Sequence, residues 1–202
     1  MPRTLVSVPD LSGVPGATAG LTWASLPADI IELAALRNRI HVLRALGARR
    51  GLNLPELGRI ITVREMAVLC TRPDRWLILT APAPPGAALA LWSEACAGCA
   101  APVELSSALT MLHLAGPAVR EVLARGCRLD LHDDAFASGN AASTHMAQVP
   151  VTLAALPAGW LLLTPSSTAR HFRDWLSATA GPFGLAPRTG VTVATLCGDM
   201  PA

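Results

Sequence analysis

At 202 residues the chain has the length of one domain or two small ones, and with 51% hydrophobic residues it can build a sizeable core. Only 15% of the residues are charged, against roughly 25% in an ordinary soluble domain; that favours a permanent partner covering part of the surface, although compositional bias toward Ala, Leu, Pro and Arg gives the same figure. A net charge of +2 without a basic stripe argues against nucleic acid, and the absence of Lys excludes a Schiff-base Lys, a P-loop Lys and a Ser-Lys dyad.

Residues 1–24 read as an N-terminal arm. Pro2, Pro9, Asp10 and Pro15 punctuate it, and it lacks the apolar run of a signal peptide. No apolar stretch reaches membrane length. Five cysteines in an irregular, odd-numbered set suit a reducing compartment better than a disulfide framework. The expectation is a cytoplasmic protein without membrane contact.

Residues 25–104 form a first unit. Ala28 to Leu36 reads as a strand. Asn38 to Arg50 reads as a helix with Ile40, His41, Leu43 and Leu46 inward, and with Arg37, Arg39, Arg44, Arg49 and Arg50 on a solvated face. Gly51 stops it. Arg59 to Cys70 reads as one strand with a bend. The turn Arg72-Pro73-Asp74-Arg75 leads to an apolar strand, Trp76 to Thr80. After a break at Pro82, Pro84, Pro85 and Gly86, Ala87 to Cys96 reads as a helix.

Residues 105–181 form a second unit. Leu105 to Ala115 reads as a strand with Met111, His113 and Ala115 on one face and Leu112 and Leu114 on the other. Gly116-Pro117 opens a helix with Pro at its first position, and Gly126 closes it by turning left-handed. Cys127, Leu129 and Leu131 alternate into a loop, Asp130 to Asn140. Ala142 to Leu156 reads as a strand region broken at Pro150, followed by Trp160 to Thr164. Ser166 to Ala180 is a helix capped by Ser166 or Ser167, with Phe172, Trp175 and Leu176 inward. A tail, 182–202, holds a final strand candidate, Val191 to Leu196.

The two units repeat one another. Trp76-Leu-Ile-Leu-Thr-Ala-Pro matches Trp160-Leu-Leu-Leu-Thr-Pro 84 positions later, and the helices that follow carry Trp92 and Trp175 at nearly equal offsets. Each unit reads strand, helix, strand, strand, helix. The expected fold is therefore α+β: two similar units, each an antiparallel sheet with helices on one face.

Few residues invite chemistry. Cys96-Ala-Gly-Cys99 lies near a helix end, where no helix dipole lowers a thiol pKa, and no second ligand pair completes a zinc site. Asp130, His132, Asp133 and Asp134 form the densest polar cluster, which suits a divalent ion or a turn capped by Asp. His41, His113, His145 and His171 are scattered. Ser106-Ser107 and Ser166-Ser167 lack a nucleophile-elbow context, and no Gly-rich phosphate loop occurs. A chain with a large core, little charge and no catalytic constellation reads as a subunit.

The run Val103 to His132, ending in Gly126-Cys-Arg-Leu-Asp-Leu-His, resembles the gamma-subunit family of heterotetrameric sarcosine oxidase. Phe136 and Gly139 extend the resemblance, as do Pro73-Asp74-Arg75-Trp76-Leu77 upstream and Trp160 to Trp175 downstream, so that it covers Ala28 to Ala180. Asn140-Ala141 departs from the family's usual small-residue/Cys pattern, and the N-terminal arm has no counterpart.

The resemblance implies a fold like the folate-binding aminomethyltransferase of the glycine-cleavage system. There a strand carries acidic residues near the folate; the corresponding Val149-Pro150-Val151-Thr152-Leu153 has no acid. It also implies a complex that demethylates sarcosine oxidatively to glycine. FAD, FMN, NAD, zinc and tetrahydrofolate belong to the other subunits and none to this chain. The implied partner is the alpha subunit, with beta and delta completing the heterotetramer. Arg128, His132 and Phe136 are the candidate partner contacts. Two other readings follow: a free-standing folate-binding or aminomethyltransferase-like protein, or the equivalent subunit of another N-methyl amine oxidase. A redox or metal role for Cys96 and Cys99 is a third.

Overall fold

The computed structural model describes residues 20–198, so most of the N-terminal arm and the last residues of the tail lie outside the described residues. Among the described residues, eleven strands and five α-helices follow in chain order: β1 Leu21–Ser25, β2 Asp29–Ala35, α1 Ile40–Arg49, β3 Arg59–Val63, β4 Met66–Arg72, β5 Arg75–Thr80, α2 Ala87–Ala95, β6 Ala100–Glu104, β7 Leu109–Ala115, α3 Val119–Ala124, β8 Ala141–Met146, β9 Val149–Leu156, β10 Gly159–Pro165, α4 Ala169–Ala180, β11 Leu185–Pro187 and α5 Val193–Gly198.

The internal repeat is a repeat of topology. One sheet runs β3-β4-β5-β2-β6 and the other β8-β9-β10-β7-β1-β11. The first four strands of each correspond one to one, and the neighbouring strands pair antiparallel except β1 with β11. The α+β fold is as expected, with α1 and α2 on one face of the first sheet and α3 and α4 on one face of the second, while α5 packs into the core between the sheets. The faces the helices leave open pack on each other, giving a helix–sheet–sheet–helix stack.

Alternation along the strands builds that stack, because successive side chains point to opposite faces. On β7, Leu112 and Leu114 enter a core shared with α3 and α4, through Val119, Val122, Phe172 and Leu176. Met111 enters the core between the sheets, against Ile30, Leu69 and Leu79. On the far side, Ile31, Leu33, Trp76 and Ile78 meet Leu43 of α1 and the half-buried Trp92 of α2. The central strands are buried on both faces, which is why they read as unbroken apolar runs.

Several expectations need correction. The arm was to run through Trp23, but Leu21–Ser25 is a strand between β7 and β11, because Leu21 and Trp23 drive into the α3/α4 core. Arg59 to Cys70 is a hairpin, turning at Arg64 with φ 55°. Pro150 breaks nothing: it lies beyond the part of β9 that pairs with β10, where its missing N–H leaves no carbonyl on that side unpaired. The turn is instead at Ala147-Gln148. A strand at Ala100–Glu104 carries Pro102, tolerated because β6 is a sheet edge. Ser166 and Ser167 do not cap α4, which starts at Ala169 after Thr168; the Ser166 hydroxyl donates instead to the Ser107 carbonyl at 2.9 Å. The final strand candidate is a helix, α5. His41 is exposed on α1, not inward.

Candidate functional site

The sequence's signature stretch folds into a braced corner. β7 ends at Ala115 and is followed by Gly116, where φ is +122° and an added Cβ would lie 2.5 Å from the Gly20 carbonyl oxygen. Pro117 therefore sits in the turn, one residue outside the cap at Ala118. Gly126 was expected to turn left-handed at the helix end; it has no positive φ. A Cβ there would lie 2.4 Å from the Trp175 ring, so the residue must be Gly to let α4 pack its indole against α3.

Arg120 organises the loop that follows. Its guanidinium lies 5.0 Å over the Trp160 ring. It donates to the Leu131 carbonyl and, at 3.3 Å, to the Phe136 carbonyl, and it pairs with Asp133. Phe136 stacks on Trp160 with centroids 5.4 Å apart. A residue on the α3 surface thus ties the loop to the core through its backbone, a stronger restraint than an exposed ion pair alone.

The acidic cluster is spent in the same loop. Asp130 accepts the His132 backbone N–H at 2.9 Å, an Asx turn. The His132 Nδ1 lies 3.6 Å from an Asp134 oxygen. No group of three His, Cys, Asp or Glu side chains among the described residues is placed to hold a metal ion. Of the three expected contact residues, Arg128 and His132 are exposed, whereas Phe136 is 7% exposed. Phe136 therefore positions the loop from inside, and cannot meet a partner without leaving Trp160.

The thiols are poor nucleophiles. Cys96 and Cys99 are buried at the end of α2. Burial pushes the Cys96 thiol up to about 11, and the Cys99 thiol donates to the Cys96 carbonyl at 3.2 Å. Burial pushes Cys197 up to about 11 as well. Reactive cysteines need the opposite environment, exposed and electropositive.

Two recesses stand out among the described residues. At one end the two sheets splay around a cleft of about 250 Å³, floored by Leu69, Leu77, Leu109 and Leu163. Glu32 is the carboxylate in its wall. It is 7% exposed and held by Arg72 and, at 2.7 Å, by Arg75. The Ser143 hydroxyl donates to Thr71 at 3.0 Å and shares a bond with Thr152 at 2.9 Å. Thr152 belongs to the stretch expected to lack an acid, and it faces this cleft. With each of its two oxygens taken by a guanidinium, this carboxylate is not free to accept a proton from a ligand in the cleft. The space also falls short of the roughly 300–1,000 Å³ of ordinary small-molecule sites. The second recess is an open groove lined by Arg125, Gly126, Arg128, His145, Gln148 and Trp175. Residue spacing could not reveal either recess, since each draws on strands and helices far apart in the chain.

The chain resembles known proteins over most of its length. The family model "Sarcosine oxidase, gamma subunit family" matches residues 40–181. Sarcosine oxidase subunit gamma of Corynebacterium sp. (strain P-1) is 33% identical over 148 residues, 71% of each chain. That of Arthrobacter sp. is 35% identical over 138 residues, 65% of this chain and 66% of the relative. A chain of heterotetrameric sarcosine oxidase from Corynebacterium sp. U-96, solved with pyrrole 2-carboxylate, superposes with a TM-score of 0.72 at 29% identity, over 84% of this chain and 89% of that one. Aminomethyltransferase T of the glycine cleavage system from Bartonella henselae shares the fold, with a TM-score of 0.61 at 15% identity over 84% of this chain and 48% of its own.

Proposed function

The chain belongs to the sarcosine oxidase gamma-subunit family, and on that premise we propose that it is the non-catalytic gamma subunit of a complex that demethylates sarcosine oxidatively to glycine. In this reading the one-carbon unit passes to tetrahydrofolate and oxygen is reduced to peroxide. FAD, FMN, NAD, zinc and tetrahydrofolate are held by the other subunits, in the cytoplasm. The observation that carries the reading is the extent of the likeness: it spans 89% of a chain of a heterotetrameric oxidase. The chemistry of this chain's own residues supports it. Glu32 is occupied by two arginines, Asp130 and Asp133 hold a loop, and Cys96 and Cys197 have raised pKa values.

No helix among the described residues is long and apolar enough to cross a membrane. The neighbour we assign is the alpha subunit, met through the braced loop with Arg128 and His132 as contacts. Both are exposed, so their removal leaves the fold intact. In the co-expressed complex, Arg128→Ala combined with His132→Ala weakens association about tenfold or more, the range of a modest interface hot spot. Turnover per flavin in complexes that do assemble stays at the wild-type value. Normal assembly with lowered turnover would place these residues in the chemistry and contradict the proposal.

A further inference from the structure

The open groove beside α3 has features that neither the core nor the loop requires. Its floor is the half-buried Trp175, seated against Gly126. One wall is the end of α3 with Arg125 and Arg128. The other is the β8–β9 hairpin, with His145 and the turn Ala147-Gln148. The walls are tied together by a backbone bridge between Cys127 and Met146.

The turn is the first anomaly. Ala147 has φ 51° and Gln148 φ 65°. A two-residue hairpin turn with both residues left-handed favours Asn-Gly, because other side chains are strained there. Here the strained position holds Gln148, a residue that lines the groove. Strain kept at a recess points to a use for the side chain.

The second anomaly is unspent charge. Arg125 is committed: it pairs with Glu121 at 3.0 Å and lies 4.8 Å over the Phe183 ring. Arg128 has no hydrogen bond or ion pair among the described residues, and neither do the side chains of His145 and Gln148. Among the described residues no carboxylate lines the groove. A free guanidinium fork, an amide and an imidazole around a half-buried indole suit a carboxylate side chain with apolar neighbours. A free phosphate fits worse. It would sit at the carbonyl end of α3, with no run of backbone N–H groups to receive it. The groove, about 640 Å³ and open along one side, has room for a peptide segment.

We propose that this groove is the docking site for an acidic segment of a partner subunit, with Arg128 taking a carboxylate and Trp175 packing under an adjacent apolar side chain. The proposal rests on the subunit reading above and adds to it a place and a chemistry for one contact.

The test uses the co-expressed complex. A photo-crosslinking amino acid at Gln148, followed by mass spectrometry, is expected to capture a segment of another subunit rich in Asp or Glu. Arg128→Glu is expected to raise the dissociation constant more than tenfold and Arg128→Lys less. Raising salt from 50 to 500 mM should weaken wild-type assembly more than that of Arg128→Glu, since screening acts on the pair the variant has lost. The thermal unfolding of each variant should match wild type, because Arg128 is exposed. If the wild-type complex assembles but the crosslink falls on this chain, on a second copy, on a segment without acids or nowhere, the groove is not the site. Equal affinity of Arg128→Glu and wild type also overturns it. Failure of the wild-type chain to assemble at all contradicts the subunit reading instead.

Discussion

His113 on β7 is 1% exposed, and its Nε2 has no hydrogen-bond partner among the described residues. Burial, with Arg188 nearby as the lesser cause, lowers its pKa below the usual 6.5. The folded state therefore holds the ring neutral. Above about pH 6.5 both folded and unfolded chains carry a neutral ring, and the group has no effect on stability. As pH falls below that value the unfolded chain takes up the proton first, and stability drops until the folded pKa is passed. Thermal unfolding between pH 7.5 and 5 is expected to show a falling midpoint, and His113→Leu is expected to flatten that slope. An unchanged slope in the variant would show that the ring is not held neutral. Alternation along the strand placed His113 with Met111 and Ala115, opposite Leu112 and Leu114. Both faces of β7 are interior, because a second sheet covers the one the helices leave open.

Elements were most legible where two signals agreed. The Trp76 and Trp160 segments announced matching strands, and the matching positions in the two sheets followed. The elements that were missed are β1, β6, β11 and α5. The first three lie toward or at sheet edges or carry Pro, and exist because a longer neighbour supplies their pairing. α5 occupies the stretch expected as a final strand, Val191 to Leu196. Its signal was a reciprocal cap: the Thr192 N–H donates to the Thr195 hydroxyl at 2.9 Å, and the Thr195 N–H to the Thr192 hydroxyl at 3.2 Å. This is a capping box with Thr in place of Glu. It sets Val193, Leu196 and Cys197 into the core between the sheets. Thr192→Ala is expected to cost about 1 kcal/mol, with Thr192→Ser close to wild type, read by urea denaturation. A loss as large from the Ser variant would assign the effect to packing of the Thr methyl.

For the whole molecule, the low charge content pointed to a covered surface. The structure adds that α2 has no fully buried residue, with Leu91 64% exposed, and that Val103 on the neighbouring edge strand β6 is 48% exposed. Large apolar side chains left out in this way are common singly and informative when adjacent elements share them. The candidate site was only partly legible. Arg128 and His132 could be picked out by their place in a family signature, and they are at the surface. Phe136 belonged to the same signature for a different reason, its stack on Trp160. The groove beside Trp175 needed three elements from distant parts of the chain, which no local spacing encodes.

The central claim is that the chain is a structural subunit of a sarcosine-oxidase-type complex. Co-expression with the alpha, beta and delta subunits, followed by size-exclusion chromatography with flavin absorbance and sarcosine-dependent peroxide formation, tests it most directly. The account predicts that the chain elutes in stoichiometric amount with the flavin-bearing complex, and that leaving it out lowers the yield of assembled complex. A chain that elutes alone, while the other three assemble at full yield without it, would contradict the account.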